Sequence, residues 1–137
     1  MKEITWKESY SVGVEEIDRQ HQDFVKLIRR LQILQEKGNP KPLVIRYLRE
    51  LGTYAAYHFV SEENFMYLTK FPGQKRQESE HSKLLETFKD KMSLFESNRL
   101  PLESLVRFLE DWFLAHTSEE DKKIGWHVQQ LNSGKFA

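Results

Sequence analysis

The stretch HFVSEENFMYLTKFPGQKRQESEH, from His58 to His81, carries polar residues where two successive helices would normally bury apolar ones. Residues 71–73, with the sequence FPG, interrupt the helical pattern and separate the two helices. His58 and Glu62 are one helical turn apart, and Gln77 and His81 repeat that spacing on the next helix. Because side chains one turn apart point to the same side, each pair can reach one centre. The stretch therefore suggests a metal site in which Gln77 occupies a ligand position.

Outward from this stretch, four segments carry apolar residues at helical spacing, and the breaks between them hold most of the Pro and Gly. The helices are predicted at about 16–37, 41–70, 74–96 and from Pro101 onward. Short connections favour antiparallel neighbours, and the sequence has no strand pattern, internal repeat or low-complexity tract. The predicted fold is all-α, an up-down-up-down four-helix bundle with an N-terminal arm and a short C-terminal helix.

The predicted domain organisation is a single domain over residues 1–137. It comprises an arm at 1–14, a bundle at about 16–117 and a C-terminal segment at 118–137. Trp6 and Val14 are expected to pack the arm against the bundle.

Composition excludes several classes of protein. The chain has 137 residues, about the size of one domain, and its 21 basic and 21 acidic residues cancel. A neutral balance gives no field to attract nucleic acid or an anionic membrane. Cysteine is absent, which removes thiolate ligands, and neither a secretory leader nor an apolar run long enough for a membrane span is visible. We therefore expect a soluble, cytoplasmic protein with a small ligand.

Polar residues occupy the inner stripes of all four predicted helices: His21, His58, Glu62, Gln77, His81 and His116. A single histidine in such a place is more often a hydrogen-bonded core residue, but that explanation does not account for six positions together. A buried glutamate costs several kcal/mol unless it is paired or binds a metal, and no Lys or Arg lies on these stripes. A cation is required. Imidazoles with carboxylates suit iron, zinc, manganese or copper, and the residues alone do not choose among them.

The end of the fourth helix raises a geometric problem. His116 and Asp121 are five residues apart, so in a straight α-helix they would point about 140° away from each other. The sequence HTSEED offers Thr117 and Ser118 as helix caps, with acidic residues three positions later. We therefore expect the helix to bend or restart here, which could bring both side chains inward.

The order of these residues resembles the hemerythrin family, specifically the single-domain bacterial hemerythrins. The shared order is His21, His58-x-x-x-Glu62, position 77-x-x-x-His81 and His116-x-x-x-x-Asp121. The arm is also similar, with Trp6 followed by YSVGVEEIDRQH up to His21, and the resemblance covers about residues 5–131. Because the family's muscle form is a known up-down bundle, the fold expectation is not independent of this resemblance.

The resemblance implies a non-haem di-iron centre with an oxo or hydroxo bridge. Glu62 and Asp121 would bridge the two iron ions. Four histidines would complete the centre in two pairs, one pair on each iron: His21 with His58, and His81 with His116. In the family, dioxygen docks at the open position of the first of these irons.

Gln77 marks a departure from the family pattern, which has a third histidine on the second iron at this position. Its amide oxygen could coordinate, it could hydrogen-bond a water in the vacant position, or it could turn away, and a water or an open position is favoured. His127, the remaining histidine, is expected to be a surface residue rather than a replacement ligand.

The leading interpretation is a dioxygen-binding protein for carriage, storage or sensing. The alternative is a di-iron redox enzyme acting on peroxide, nitric oxide or dioxygen through an incomplete second iron site, or an iron store. No acid-base constellation beyond the metal ligands is visible, so whether the protein is an enzyme stays open and no catalytic residue is named. Dioxygen is the expected partner, with no nucleic acid and no membrane. Both a monomer and an association with an oxygen-consuming or signalling protein are left open.

Overall fold

The computed structural model describes residues 3–132, with the exception of the side chain of Ser118. The helices are α1 (Glu15–Lys37), α2 (Lys41–Leu68), α3 (Gln74–Glu96), α4 (Leu102–Trp112) and α5 (Lys122–Asn132). A 3₁₀ turn at Glu8–Tyr10 lies in the N-terminal arm, and a π-helical segment at Phe113–Glu120 joins α4 to α5. No strand occurs within residues 3–132. The predicted arm and C-terminal segment also include residues 1, 2 and 133–137, which lie outside the described residues.

The helices α1 to α4 form a ring in which each contacts two neighbours. α1 packs against α2 and α4, and α3 packs against the same two helices. Connections of three to five residues join successive helices, so neighbours in sequence run antiparallel. The core between them includes fully buried Ile28, Leu31, Leu48, Leu105 and Val106. The predicted all-α four-helix bundle is confirmed.

Local backbone chemistry sets the ends of the helices. α1 ends at Lys37 because the capping residue Gly38 has a φ of 64°, a left-handed conformation that glycine adopts most easily. α2 ends at Leu68 rather than at the predicted residue 70, because Lys70 adopts a φ of 55° that cannot continue a right-handed helix. No helix in the described part of the chain is both long and apolar enough to cross a membrane.

The N-terminal arm is tied to the bundle by side-chain hydrogen bonds. The carboxylate of Asp18 accepts bonds from Ser11 Oγ at 2.6 Å and from the Val12 backbone N–H at 2.8 Å. Trp6 and Val14 pack against the two apolar clusters of the bundle, as expected. α5 lies directly on this arm, since a Cβ at Gly125 would stand 2.8 Å from the carbonyl carbon of Val12 and still closer to its oxygen.

After Trp112, where we expected the fourth helix to bend or restart, the structure has a π-helical turn. The Asp121 N–H donates to the His116 carbonyl at 3.1 Å, an i→i+5 bond that defines π-helix. The Thr117 hydroxyl donates back to the Phe113 carbonyl and caps no new helix, while the Ser118 side chain lies outside the described residues. Because a π turn holds about one residue more than an α turn, His116 and Asp121 come to the same side of this segment.

Candidate metal centre

Six of the predicted site residues form two groups that share one carboxylate. The first group is His21, His58, Glu62 and Asp121, and the second is Glu62, His81 and His116. Within each group the possible ligand atoms all lie within 4.8 Å of one another, and every side chain is at most 5% exposed. The helices α1, α2 and α3, the π-helical segment and the residue after it therefore bring together six imidazoles and carboxylates, five of which the sequence placed on inner faces.

The two oxygens of Glu62 face different histidines. Oε2 lies 3.4 Å from His58 Nε2 and 3.7 Å from His21 Nε2, whereas Oε1 lies 3.1 Å from His81 Nε2. Asp121 is divided in the same way, because Oδ2 lies 3.2 Å from His21 Nε2 and Oδ1 lies 3.5 Å from His116 Nε2. Each of these two carboxylates has one oxygen facing one set of histidines and its other oxygen facing the other set. This arrangement is the one needed to bridge two cations.

Several buried polar atoms at this centre have no hydrogen-bond partner. They include Nε2 of His21 and His58 and all four carboxylate oxygens of Glu62 and Asp121. Burying such atoms without a partner costs several kcal/mol, so native structures rarely leave them unsatisfied. The donor set, nitrogen and oxygen without sulfur, fits a pair of cations of the kind the family carries.

Three polar side chains hold the histidines from behind. Gln20 Oε1 lies 2.6 Å from His58 Nδ1, and the Gln20 amide in turn donates to Ser61 Oγ at 3.1 Å. The remaining two contacts are Glu63 Oε2 to His81 Nδ1 at 2.8 Å and Glu80 Oε2 to His116 Nδ1 at 3.3 Å. Each contact fixes the ring so that Nε2 faces the carboxylates.

Sequence reasoning missed these three supporting residues, although a signal existed. Gln20, Glu63 and Glu80 each adjoin a predicted ligand in the sequence, yet each supports a histidine on a neighbouring helix. A polar residue next to an inward-facing ligand in the sequence lies at the boundary between two helices, where its side chain can contact a histidine of the neighbouring helix. That position is the signal.

Aromatic rings enclose the histidines. Phe59 stacks on His81 with centroids 4.0 Å apart, and Trp112 stacks on His116 at 5.4 Å. Phe24 meets His58 edge-on at 5.7 Å. These rings restrict the access of water and restrict the rotation of the imidazoles.

Gln77 is 3% exposed and does not turn out to solvent. Its Nε2 donates to the Glu120 carbonyl at 3.4 Å, a long contact. Its Oε1 is buried without a hydrogen-bond partner, a property that it shares with the carboxylate oxygens of Glu62 and Asp121.

His127 lies away from both groups of possible ligands among the described residues. Its Nε2 is 2.7 Å from the carbonyl oxygen of Thr69, and its ring packs edge-on against Phe71. It is half-buried rather than a free surface residue, and it ties α5 to the end of α2.

In the metal-free protein, protons neutralise part of this cluster. Burial lowers the pKa of His21, but its close contacts with the carboxylates of Asp121 and Glu62 outweigh it and raise the pKa to about 9. Burial and the charge of Glu62 raise the pKa of Asp121 well above its usual range. Burial opposes ionisation of Glu62 too, but the close imidazoles of His21, His58 and His81 hold its pKa well below normal. Bound cations would displace these protons.

We expect the metal-free protein to lose stability as the pH rises from 6.5 to 9. The pKa of His21 in the folded state, about 9, lies above the ordinary 6.5, so its contribution is complete below pH 6.5 and is lost as the pH rises through 9. The loss is at most about 3 kcal/mol. Denaturant unfolding across this range measures it. The stability of the metal-loaded protein should vary less over this pH range, since cations replace the protons. Metal-free protein that is equally stable at pH 6.5 and at pH 9 would contradict the expectation.

Comparison with known proteins is consistent with this geometry. Residues 12–125 match the model of the hemerythrin HHE cation binding domain. The chain is 22% identical over 121 residues to bacteriohemerythrin of Pseudomonas aeruginosa, covering 88% of this chain and 78% of the relative. It is 26% identical over 124 residues to bacteriohemerythrin of Methylococcus capsulatus, covering 89% and 94% respectively.

A solved structure has the same architecture. A crystal structure of a hemerythrin mutant superimposes with a TM-score of 0.84 at 25% identity, covering 93% of this chain and 98% of that one. The family model spans most of the sequence, including all six residues of the two groups. The chain belongs to the hemerythrin family.

Proposed function

We propose that this protein binds dioxygen reversibly at a non-haem di-iron centre, for carriage, storage or sensing. Its family is one of non-haem di-iron, oxygen-binding proteins. The observation that carries the proposal concerns the carboxylates of Glu62 and Asp121. In each, one oxygen faces one set of histidines and the second oxygen faces the other set. This is the geometry of two bridging carboxylates.

In this proposal each residue has a defined task. Glu62 and Asp121 would supply the carboxylates that both ions share, and the histidines would hold the ions in the pairs His21 with His58 and His81 with His116. Iron bound there would supply the electrons for dioxygen uptake. Gln20, Glu63 and Glu80 orient three of the imidazoles, and the rings around them keep the centre dry.

Metal analysis and optical spectroscopy test the proposed function. Purified protein should hold two iron ions per chain, and a reduced sample should gain a visible absorption band in air and lose it under vacuum. Irreversible bleaching with turnover of peroxide would favour the enzymatic alternative. Protein that takes up no iron under anaerobic reconstitution would refute both.

One observation favours the enzymatic alternative. A surface groove of about 420 Å³ between α3 and the π-helical segment is lined by Glu80, Trp112, His116 and Glu119, among others. It reaches a proposed ligand of the second iron, which is also the iron next to Gln77. A small oxidant could approach that iron through this groove.

We further propose that Gln77 leaves the second iron with a position for water or an added ligand. The Gln77→His variant should fill this position, slow autoxidation and raise retention of the second metal about tenfold, because an imidazole is a stronger ligand than a neutral amide. Autoxidation rate, azide stoichiometry and iron content measure the change.

Gln74→His is the matched control for this experiment, since Gln74 lies on the same helix and bonds Glu78 instead of the centre. It should behave as wild type. Identical rates, stoichiometry and iron content for Gln77→His and wild type would mean that Gln77 already coordinates adequately or has no part in the site.

A further inference from the structure

The outer face of α2 lacks charge over four helical turns. The exposed residues between Leu51 and Thr69, a stretch that the structure describes completely, are Thr53, Ala56, Tyr57, Val60, Asn64, Tyr67 and Leu68. None of them is charged, although 31% of the whole chain is Asp, Glu, Lys or Arg. We call these seven residues the α2 stripe.

The α2 stripe exposes large apolar side chains. Tyr57, Val60, Tyr67 and Leu68 are 61, 55, 72 and 78% exposed, respectively. Single exposed apolar residues are ordinary, but contiguous patches of several hundred Å² usually mark interaction sites. The stripe is about 24 Å long, at 1.5 Å per residue.

We propose that the α2 stripe is the interface of a homodimer, in which α2 of one copy packs antiparallel against α2 of the second. The area is appropriate. The stripe offers roughly 500 Å² of apolar surface, taking ordinary side-chain areas. A standard interface buries about 800 Å² on each partner, of which about 60% is apolar. The apolar area that such an interface requires is therefore nearly equal to the area that the stripe offers.

Charge also favours a second copy as the occupant. In a two-fold dimer each surface faces itself, so an uncharged stripe meets its copy without repulsion. The stripe is centred near Val60 and is flanked by Glu50 at one end and Lys70 at the other. An antiparallel pairing about Val60 therefore brings Glu50 of one copy towards Lys70 of the other at both ends.

Sedimentation equilibrium of the full chain across the micromolar range tests the proposal. Wild type should have the mass of two chains, and Val60→Glu should raise the dimer dissociation constant at least about 100-fold, because it opposes two like charges at the two-fold axis. Leu94→Glu is the control, since it adds the same charge at an exposed leucine on α3 outside the stripe and should remain dimeric. Circular dichroism checks that both variants are folded.

A mixture of two variants tests the symmetry. Val60→Glu and Val60→Lys should each be monomeric, while an equal mixture should recover dimers because opposite charges then meet at the axis. Wild type that stays monomeric throughout the range would overturn the proposal. So would equal dissociation of Val60→Glu and Leu94→Glu, or a mixture without dimers.

Discussion

Replacing Glu62 with alanine is expected to abolish binding of both metal ions. Glu62 is the only described residue common to both groups of possible ligands, and its two oxygens face histidines on opposite sides. Each proposed ion therefore loses one of its few anionic ligands. Removing a shared carboxylate also leaves a net excess of positive charge among buried imidazoles, which opposes binding of a cation further.

Most of the stability lost in Glu62→Ala should be lost only when metal is present. Because an unfolded chain has no such site, each bound ion stabilises wild type by about 4 kcal/mol when the free metal is at 1,000 times its dissociation constant. The variant should lose this increment. Its metal-free form need not be weaker by the same amount, since the substitution also removes a buried carboxylate that has no hydrogen-bond partner.

Metal content and denaturant unfolding, each with and without metal, measure this prediction. Glu62→Gln keeps the size of the side chain and should also lose the metal, which separates the role of the carboxylate from that of a cavity. Glu86→Ala removes an exposed carboxylate on α3 and should behave as wild type. A Glu62→Ala protein that retains two ions and the full stabilisation by metal would end the proposal of a bridging role.

Much of the fold and of the centre could be predicted because it depends on local spacing. Apolar stripes with Pro and Gly at their ends predicted α1 and α3 to within one residue of their observed bounds. Histidines and an acid on apolar faces are exceptions to a strong rule, so His21, His58, Glu62 and His81 could be picked out by their occurrence together. Their convergence then followed from the bundle.

The π-helical segment could not be predicted in this way. Periodicity assumes 100° per residue, and nothing in the letters HTSEED indicates one extra residue in a turn. The bond from the Asp121 N–H to the His116 carbonyl forms where the contacts of Asp121 with His21 and His116 draw its side chain inward. Because those contacts come from other parts of the chain, the tertiary structure sets the local geometry.

The supporting contacts of the histidines depend on register between helices. Glu63 reaches His81 only because α2 and α3 are aligned at that level, and Gln20 reaches His58 by the same alignment of α1 with α2. A pattern within one helix does not contain this information. The uncharged stripe on the outer face of α2 is likewise recognised only once the structure shows which face of that helix is buried.

Gly125→Ala is expected to destabilise the protein by about 3 kcal/mol or more, although alanine has the higher helix propensity. In an open helix position alanine would stabilise by about 1 kcal/mol relative to glycine. Here the new methyl would overlap the Val12 carbonyl, with its Cβ 2.8 Å from the carbonyl carbon and nearer to the oxygen. Neither side can yield cheaply, because Asp18 holds the Val12 N–H at 2.8 Å and the adjacent Ile124 is fully buried.

Denaturant unfolding of the metal-free protein measures the Gly125→Ala effect without a contribution from the metal. Gly38→Ala is the matched control, because its Cβ would meet nothing within 4 Å and only its φ of 64° is unfavourable, at a cost of about 1–2 kcal/mol. Since α5 directly follows Asp121, Gly125→Ala should also weaken metal retention, whereas Gly38→Ala at the far end of α1 should not. A Gly125→Ala protein as stable as wild type would show that α5 does not pack against the arm at Val12.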